Sequence, residues 1–198
     1  MEKTQESQVE ITTEDMRYLE DFVKYIKSWA KEHSETAKKL EISKKITGFI
    51  GEAITFVELK KKYKVKSIWK GGLQKGYDIY IEGKDKIWLN VKTTFSALRE
   101  RGRGDNKKPD HYEWDVGWSS AHAAKSMKRS LIFVFVDLKE LKSEPDLFII
   151  PSAVIEKYFL PHGRQAPKWR RARYHPRVGE IEKYKSNWNI LKNRLGQF

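Results

Sequence analysis

Asp78, Asn90 and Lys92 have the side-chain types and the spacing needed for chemistry on a phosphate ester. Two runs with alternating apolar residues, 77–81 and 87–94, are joined by a short polar turn, a pattern that predicts a β-hairpin. Asp78 lies near the start of the first run, while Asn90 and Lys92 lie two residues apart on one face of the second. An acid, an amide oxygen and a lysine at one place could hold a hard cation against a phosphate and position a water for attack.

Two of these residues also have ordinary explanations. Asp78 could simply begin a strand, with its carboxylate bonded to backbone amides, and Lys92 could be an exposed strand lysine.

Glu52 is a second acid of interest, because it lies within the apolar stretch 48–57, where an unpaired carboxylate is costly. Gly48 and Gly51 precede it although glycine lowers helix propensity, which suggests close approach by another backbone or by a ligand. The alternative is a surface glutamate on the polar edge of a helix, with the glycines serving helix packing.

Hydrophobic periodicity predicts the elements that position these residues. Helices are predicted from Thr13 and over about 42–63, with a strand at 65–69 before the hairpin. After the hairpin the patterns predict a mobile loop at 96–115, a helix at 117–127, a doubly buried strand at 131–136, a strand at 147–150, and helices at 152–159 and about 180–195. We expect an N-terminal extension and helix over residues 1–40 and a single globular α/β domain over 41–198.

Charge is unevenly distributed along the chain. The net charge is +13, but residues 1–20 carry −4, so the remainder carries +17 and favours a polyanionic partner, nucleic acid ahead of membrane. A lysine-rich surface of a heat-adapted protein is the alternative. The absence of cysteine excludes disulfides and thiol catalysis. No apolar run is long enough for a membrane span, so we expect a cytoplasmic protein with no membrane partner.

Two basic segments are candidate nucleic-acid contacts, since arginine binds phosphates and aromatic rings can stack on bases. The alternative for the segment at 161–177 is a solvated loop pinned to the body by Trp169. The candidates are Arg99, Arg101, Arg103, Lys107 and Lys108 in the first segment and Arg164, Lys168, Trp169, Arg170, Arg171, Arg173 and Tyr174 in the second. The five histidines form no spaced metal motif, and the ligand-type residues at 110–115 match no zinc pattern.

The order of the predicted elements, together with Asp78 and the Asn90-Val91-Lys92 triplet, resembles the PD-(D/E)xK nuclease superfamily over about residues 44–137. The resemblance implies a restriction-endonuclease-like fold: an αβββαβ core with a mixed sheet, flanked here by N-terminal and C-terminal helices. It also implies that Asp78, Asn90 and Glu52 bind metal, Mg²⁺ with Mn²⁺ able to substitute, and that Lys92 acts on the attacking water. Asn90 stands where the family has an acid, which removes one negative charge that Glu52 could restore.

The function expected from the resemblance is a metal-dependent DNA endonuclease, with a homodimeric type II restriction endonuclease as the most specific expectation. A repair nuclease or junction resolvase would use the same site. A second hypothesis is a catalytically degenerate nucleic-acid-binding module on a nuclease scaffold, and Asn90 is the residue that supports it. A third is a subunit that acts inside a larger complex, docked through its acidic N-terminus.

Overall fold

The computed structural model describes residues 12–32, 44–63, 66–69, 76–83, 85–117, 120, 130–141, 143–159 and 173–195. Its first helix, α1 (Thr13–Glu32), begins at a reciprocal cap. The Thr12 amide donates to Asp15 Oδ2 at 2.8 Å, and the Asp15 amide donates to Thr12 Oγ1 at 3.2 Å. One side of α1 packs on the core, so the helix belongs to the body of the protein. Among the described helices, none is both long and apolar enough to cross a membrane.

The second helix, α2 (Lys44–Lys62), lies against the central sheet. Gly51 faces Thr93 so closely that a Cβ at position 51 would collide with the threonine side chain. The close approach predicted from the glycines is therefore present at Gly51, and the partner is a strand side chain. Gly48 has open space around its Cα, so no close contact explains that glycine.

The central sheet has five strands, numbered here in chain order together with the other strands that the structure describes. They are β1 (Lys66–Trp69), β2 (Ile79–Glu82), β3 (Ile87–Thr94), β7 (Leu131–Asp137) and β8 (Asp146–Pro151). Side by side, they lie in the order β1-β2-β3-β7-β8. The chain enters through an antiparallel meander, β3 then pairs in parallel with β7, and β8 returns antiparallel to β7. The predicted α/β class, the mixed sheet and the helices at both ends are confirmed.

The sheet separates two hydrophobic cores. The first lies between the sheet and α2, and the second lies on the opposite face. Every residue of β7 is buried, because its alternate side chains enter different cores. The prediction of a strand buried on both faces is therefore confirmed.

Residues 96–115, predicted as a mobile loop, are instead largely paired strands. Strands β4 (Leu98–Arg101) and β5 (Lys108–Tyr112) form a hairpin whose tip is a 3₁₀ turn at Gly104–Asn106. Strand β6 (Trp114–Asp115) then pairs with β9 (Arg173–Tyr174). The prediction failed because these short strands are mostly charged and show little apolar alternation.

The C-terminal region contains two helices where one was predicted. After α3 (Ser152–Phe159), which agrees with its prediction, α4 (Val178–Ile181) continues into a 3₁₀ turn at Glu182–Tyr184. The chain is then interrupted at Ser186, whose φ is 48°, before α5 (Asn189–Leu195). The helix predicted at 117–127 lies outside the described residues except for Gly117 and Ser120.

Candidate functional site

The segment just before β2 is fastened to β3 by both its backbone and its side chains. The Asp78 amide donates to the Leu89 carbonyl at 2.8 Å. One Asp78 carboxylate oxygen, Oδ2, accepts the Val91 amide at 2.7 Å. Asp78 thus begins the strand in the way its ordinary structural explanation expects. This bond occupies one oxygen of a carboxylate that can accept several hydrogen bonds.

Asn90 is buried and its side-chain orientation is fixed by its neighbours. Its Nδ2 donates to the Gly76 carbonyl at 2.7 Å and to Ser120 Oγ at 3.2 Å. A carbonyl accepts only, so the nitrogen must face Gly76 and the amide cannot be flipped. Within the described part of the chain, the buried Oδ1 has no hydrogen-bond partner. Because a buried unpaired acceptor is costly, Oδ1 is suited to a ligand, either a cation or a water.

Strand register places Asn90 and Lys92 on one face of the sheet, as the spacing predicts. They pair with Phe133 and Phe135 of β7, which belong to the second core. Leu89 and Val91, the alternate residues, belong to the first core. Lys92 is half-buried, so the alternative of an exposed strand lysine does not apply.

Glu52 extends from α2 on the first-core face of the sheet, whereas Asn90 and Lys92 lie on the opposite, second-core face. Glu52 is half-buried, and its Oε2 accepts the Trp69 indole N–H at 2.7 Å. The ring of Trp69 is itself held between Phe49 and Phe56, with ring centroids 5.1 and 5.9 Å away. The surface-glutamate alternative therefore fails, since the carboxylate has a defined partner on β1.

The three ionisable groups are close enough for their charges to affect one another. Burial raises the pKa of Glu52; the Trp69 N–H lowers this pKa, Asp78 raises it and Lys92 lowers it. Burial also raises the pKa of Asp78, against the opposing effects of the Val91 amide and Lys92. Burial lowers the pKa of Lys92, while Asp78, Glu52 and Asp115 raise it. Each group is thus shifted toward its neutral form, which is typical of functional sites.

The candidate side chains offer the type of donor atom that a hard divalent cation prefers. Asp78 and Glu52 offer carboxylate oxygens and Asn90 offers the unpaired Oδ1, and oxygen is the ligand atom that Mg²⁺ and Mn²⁺ prefer. Repulsion from Asp78 raises the pKa of Glu52. A bound cation would offset this repulsion between the two carboxylates.

Sequence reasoning missed four contributors to this site. Trp69 holds Glu52, and Gly76, at a φ of 97° that favours glycine, presents its carbonyl to Asn90. Ser120 is the second acceptor for Asn90, and Asp115 lies near Lys92. In the sequence, these four residues are marked only by nearby glycines or acids. Such proximity does not reveal contacts between residues that are distant along the chain.

The first basic segment forms an exposed arm. Arg101, Arg103, Lys107 and Lys108 are all exposed on the β4–β5 hairpin, where they are available to a polyanion. Arg99 differs, because it is half-buried and its Nη1 donates to the Ser96 carbonyl at 2.9 Å.

The second basic segment is described only at its end. Arg173 is exposed and its Nη1 donates to Glu113 Oε1 at 2.7 Å. Tyr174 is buried among Trp114, Phe135 and the rest of the second core, so the prediction that it stacks on a base is wrong. The other candidates lie outside the described residues: Arg164, Lys168, Trp169, Arg170 and Arg171.

No family model matches the chain, and the comparison with curated proteins gives no match. Among solved structures, the chain is similar to a bacterial homing endonuclease, I-Ssp6803I, at 15% sequence identity and a TM-score of 0.47. The match covers 78% of this chain and 94% of that one.

Proposed function

We propose that this chain is a metal-dependent endonuclease that hydrolyses phosphodiester bonds in DNA. The observation that carries the proposal is the electrostatic interaction of two half-buried carboxylates, Asp78 and Glu52, with Lys92. Asn90, two residues before Lys92 on the same strand, adds a buried oxygen that has no hydrogen-bond partner among the described residues. A general binding surface does not require buried charges of both signs.

Asp78, Glu52 and Asn90 would hold Mg²⁺, for which Mn²⁺ could substitute. Bound there, the ion would polarise the scissile phosphate and offset charge on the leaving oxygen. Lys92, whose pKa is lowered by burial, would orient the attacking water and take up or share its proton. The oxygen of water then bonds to phosphorus, the ester P–O bond breaks, and the leaving oxygen gains a proton. No covalent enzyme intermediate is required.

The β4–β5 arm would supply contacts to the DNA backbone. A two-stranded β-ribbon fits the major groove, and four exposed basic side chains could each neutralise a phosphate. The DNA-binding constant should fall linearly with salt on a log–log plot. We expect each alanine replacement, at Arg101, Arg103, Lys107 or Lys108, to make this negative slope shallower by about 1. Glu100→Ala, on the same hairpin, should leave that slope unchanged or make it steeper.

The most specific form of the proposal is a homodimeric type II restriction endonuclease, since cutting both strands together requires two sites. A repair nuclease or junction resolvase would share the chemistry. Tyr18, Phe22, Tyr25 and Phe49 expose large aromatic surfaces on or beside α1, which suits a contact with a second copy.

The test is incubation of supercoiled plasmid and a linear duplex pool with the protein in Mg²⁺, Mn²⁺ or EDTA. Asp78→Ala and Lys92→Ala should abolish cutting, a loss of at least about 100-fold. Asp85→Asn and Lys86→Ala, at exposed positions in the β2–β3 turn, are matched controls and should cut normally. Discrete fragments would indicate sequence specificity. Cutting that persists in Asp78→Ala would refute the assignment of the site.

The second candidate function is a nucleic-acid-binding module that has lost catalysis. It is favoured by one observation: Asn90 supplies no charge, and its amide is tied to Gly76 and Ser120. Salt-sensitive DNA binding without cutting in any metal, unchanged in Asp78→Ala, would support this candidate over the nuclease.

A further inference from the structure

A second group of ligand-type side chains lies apart from the carboxylates of the proposed active site. One ring nitrogen from each of His111 and His175 and one carboxylate oxygen of Glu113 all lie within 4.8 Å of one another. His111 and Glu113 flank Tyr112 in sequence, but His175 comes from a distant segment, which is why spacing alone predicted no metal site.

Backbone pairing holds the two segments in register. The Tyr112 amide donates to the Pro176 carbonyl at 3.0 Å, and His111 forms an isolated bridge with Arg177. On the other side of the cluster, β6 and β9 pair through Trp114 and Tyr174. The imidazole rings consequently stack at a centroid distance of 5.8 Å with an interplanar angle of 9°. The cluster is therefore set by the fold.

His111 and Glu113 have hydrogen-bond partners of the kind that orient metal-binding side chains. Asp110 Oδ2 lies 2.9 Å from His111 Nδ1, and a carboxylate in that position orients a histidine so that its Nε2 lone pair is free to bind metal. Arg173 donates to Glu113 Oε1 at 2.7 Å, which orients this carboxylate. The contact of Arg99 with Oε2 is longer, at 3.4 Å, so Oε2 is the oxygen more easily released to a metal.

We propose that His111, Glu113 and His175 bind a divalent transition metal ion, with Zn²⁺ as the best match. Two imidazoles and one carboxylate are a zinc donor set that leaves a fourth position for water. Metal–ligand bonds of about 2.0–2.2 Å in a tetrahedron place ligand atoms roughly 3.4 Å apart. The three ligand atoms lie within 4.8 Å of one another, so binding would require the exposed His175 side chain to move closer to the other two ligands.

Neighbouring charges moderate the affinity expected at this site. Partial burial lowers the pKa of His175; Glu113 raises this pKa, and His111, Arg173 and Arg99 lower it. The two arginines also repel a cation, so we expect weaker binding than in a closed cysteine-rich zinc site. A bound ion would join β5 and β6 to β9 and so fix the strand that carries Asp115, near Lys92.

The inference does not depend on the proposed nuclease activity and is tested by Zn²⁺ binding alone. Metal-stripped full-length protein is titrated with Zn²⁺ by calorimetry at pH 7, beside His111→Gln, His175→Gln and the control Glu100→Gln. We expect one Zn²⁺ per chain at this site, with affinity reduced at least about tenfold in each histidine variant and unchanged in Glu100→Gln. Circular dichroism in EDTA checks that each variant is folded. If His111→Gln does not fold, the result for His175→Gln is used alone, because His175 is exposed and its replacement should not disturb folding.

The variant Asp78→Ala separates this site from the proposed catalytic one. If Zn²⁺ binds at the histidine cluster, Asp78→Ala retains it with unchanged affinity. The absence of saturable binding, binding unaffected by His175→Gln, or binding lost in Asp78→Ala would each overturn the proposal.

Discussion

Two pairs of acids among the described residues, Asp137 with Asp146 and Asp78 with Glu52, differ in how many partners their carboxylates have. Asp137 and Asp146 lie opposite each other on β7 and β8. Asp137 Oδ1 accepts the amides of Ala97 and Lys139 at 3.0 and 2.9 Å. Asp146 accepts Lys139 on one oxygen at 2.8 Å and Lys185 on the other at 3.0 Å.

The carboxylates of Asp78 and Glu52 each accept one hydrogen bond from the described residues, from the Val91 amide and the Trp69 indole respectively. Burial raises the pKa of both Asp137 and Asp78, so this shift alone does not separate a structural carboxylate from a functional one. The difference lies in unused acceptor capacity. Asp137 and Asp146 hold the chain together, while Asp78 and Glu52 each retain a carboxylate oxygen that could accept a ligand under the proposed function.

The largest expected contrast is in stability. Asp137→Ala leaves two amides without their acceptor and should lower the free energy of unfolding by about 3 kcal/mol. Asp78→Ala leaves only the Val91 amide without its acceptor and relieves the repulsion with Glu52. The free energy of unfolding should therefore fall by about 1 kcal/mol or less. Urea denaturation in EDTA measures both values. Equal losses would remove the distinction between the two pairs.

Adding charge at Asn90 should sharpen the contrast. Asn90→Asp should strengthen Mn²⁺ binding about tenfold by calorimetry, since one more carboxylate faces the cation. The variant should also lose roughly 1–2 kcal/mol of stability in EDTA, because the Gly76 carbonyl loses its donor and meets a negative charge. Asn106→Asp, at the exposed hairpin tip, is the control. Stability that is unchanged together with weaker metal binding would contradict the assigned role of Oδ1.

The pH dependence of stability in EDTA should show the same difference on a smaller scale. The folded pKa values of Asp78 and Glu52 are raised above their ordinary values of 3.8 and 4.5. The folded state therefore binds more protons, and the stability from these groups is present below the ordinary values and lost as pH rises through the folded ones. The double variant Asp78→Asn/Glu52→Gln should lack this part of the decline. Parallel pH profiles for the two proteins would count against the raised pKa values.

The smallest effect is expected at Asp146. Lys185→Met should cost less than about 1 kcal/mol, because Lys139 still pairs with the same carboxylate and both lysines are partly exposed. Lys139→Met/Lys185→Met should cost more than the sum of the single changes, since it leaves a buried acid without its lysine partners. A double-mutant cycle in urea checks this, and strict additivity would show that the lysines do not share Asp146.

Local patterns were enough to predict part of the fold and of the site. The apolar run in β7 predicts a doubly buried strand, and a period of two places Asn90 and Lys92 on one face. The β4–β5 hairpin escaped prediction because backbone pairing and packing of its ends, not an apolar stripe, define it. The helix predicted over 180–195 breaks because the Ser186 amide bonds to the Leu147 carbonyl of β8, a contact that local periodicity cannot reveal. Trp69 and His175 likewise gain their partners only through the tertiary fold.

The contact between Gly51 and Thr93 has a consequence for sequence variation among related chains. The missing Cβ at position 51 sets the distance between α2 and β3, and Glu52 is the next residue on that helix. Any side chain at position 51 would therefore have to be matched by a smaller residue at position 93, or the helix would shift and carry the carboxylate with it. Positions 51 and 93 are thus expected to covary in evolution, although neither residue has an assigned chemical role.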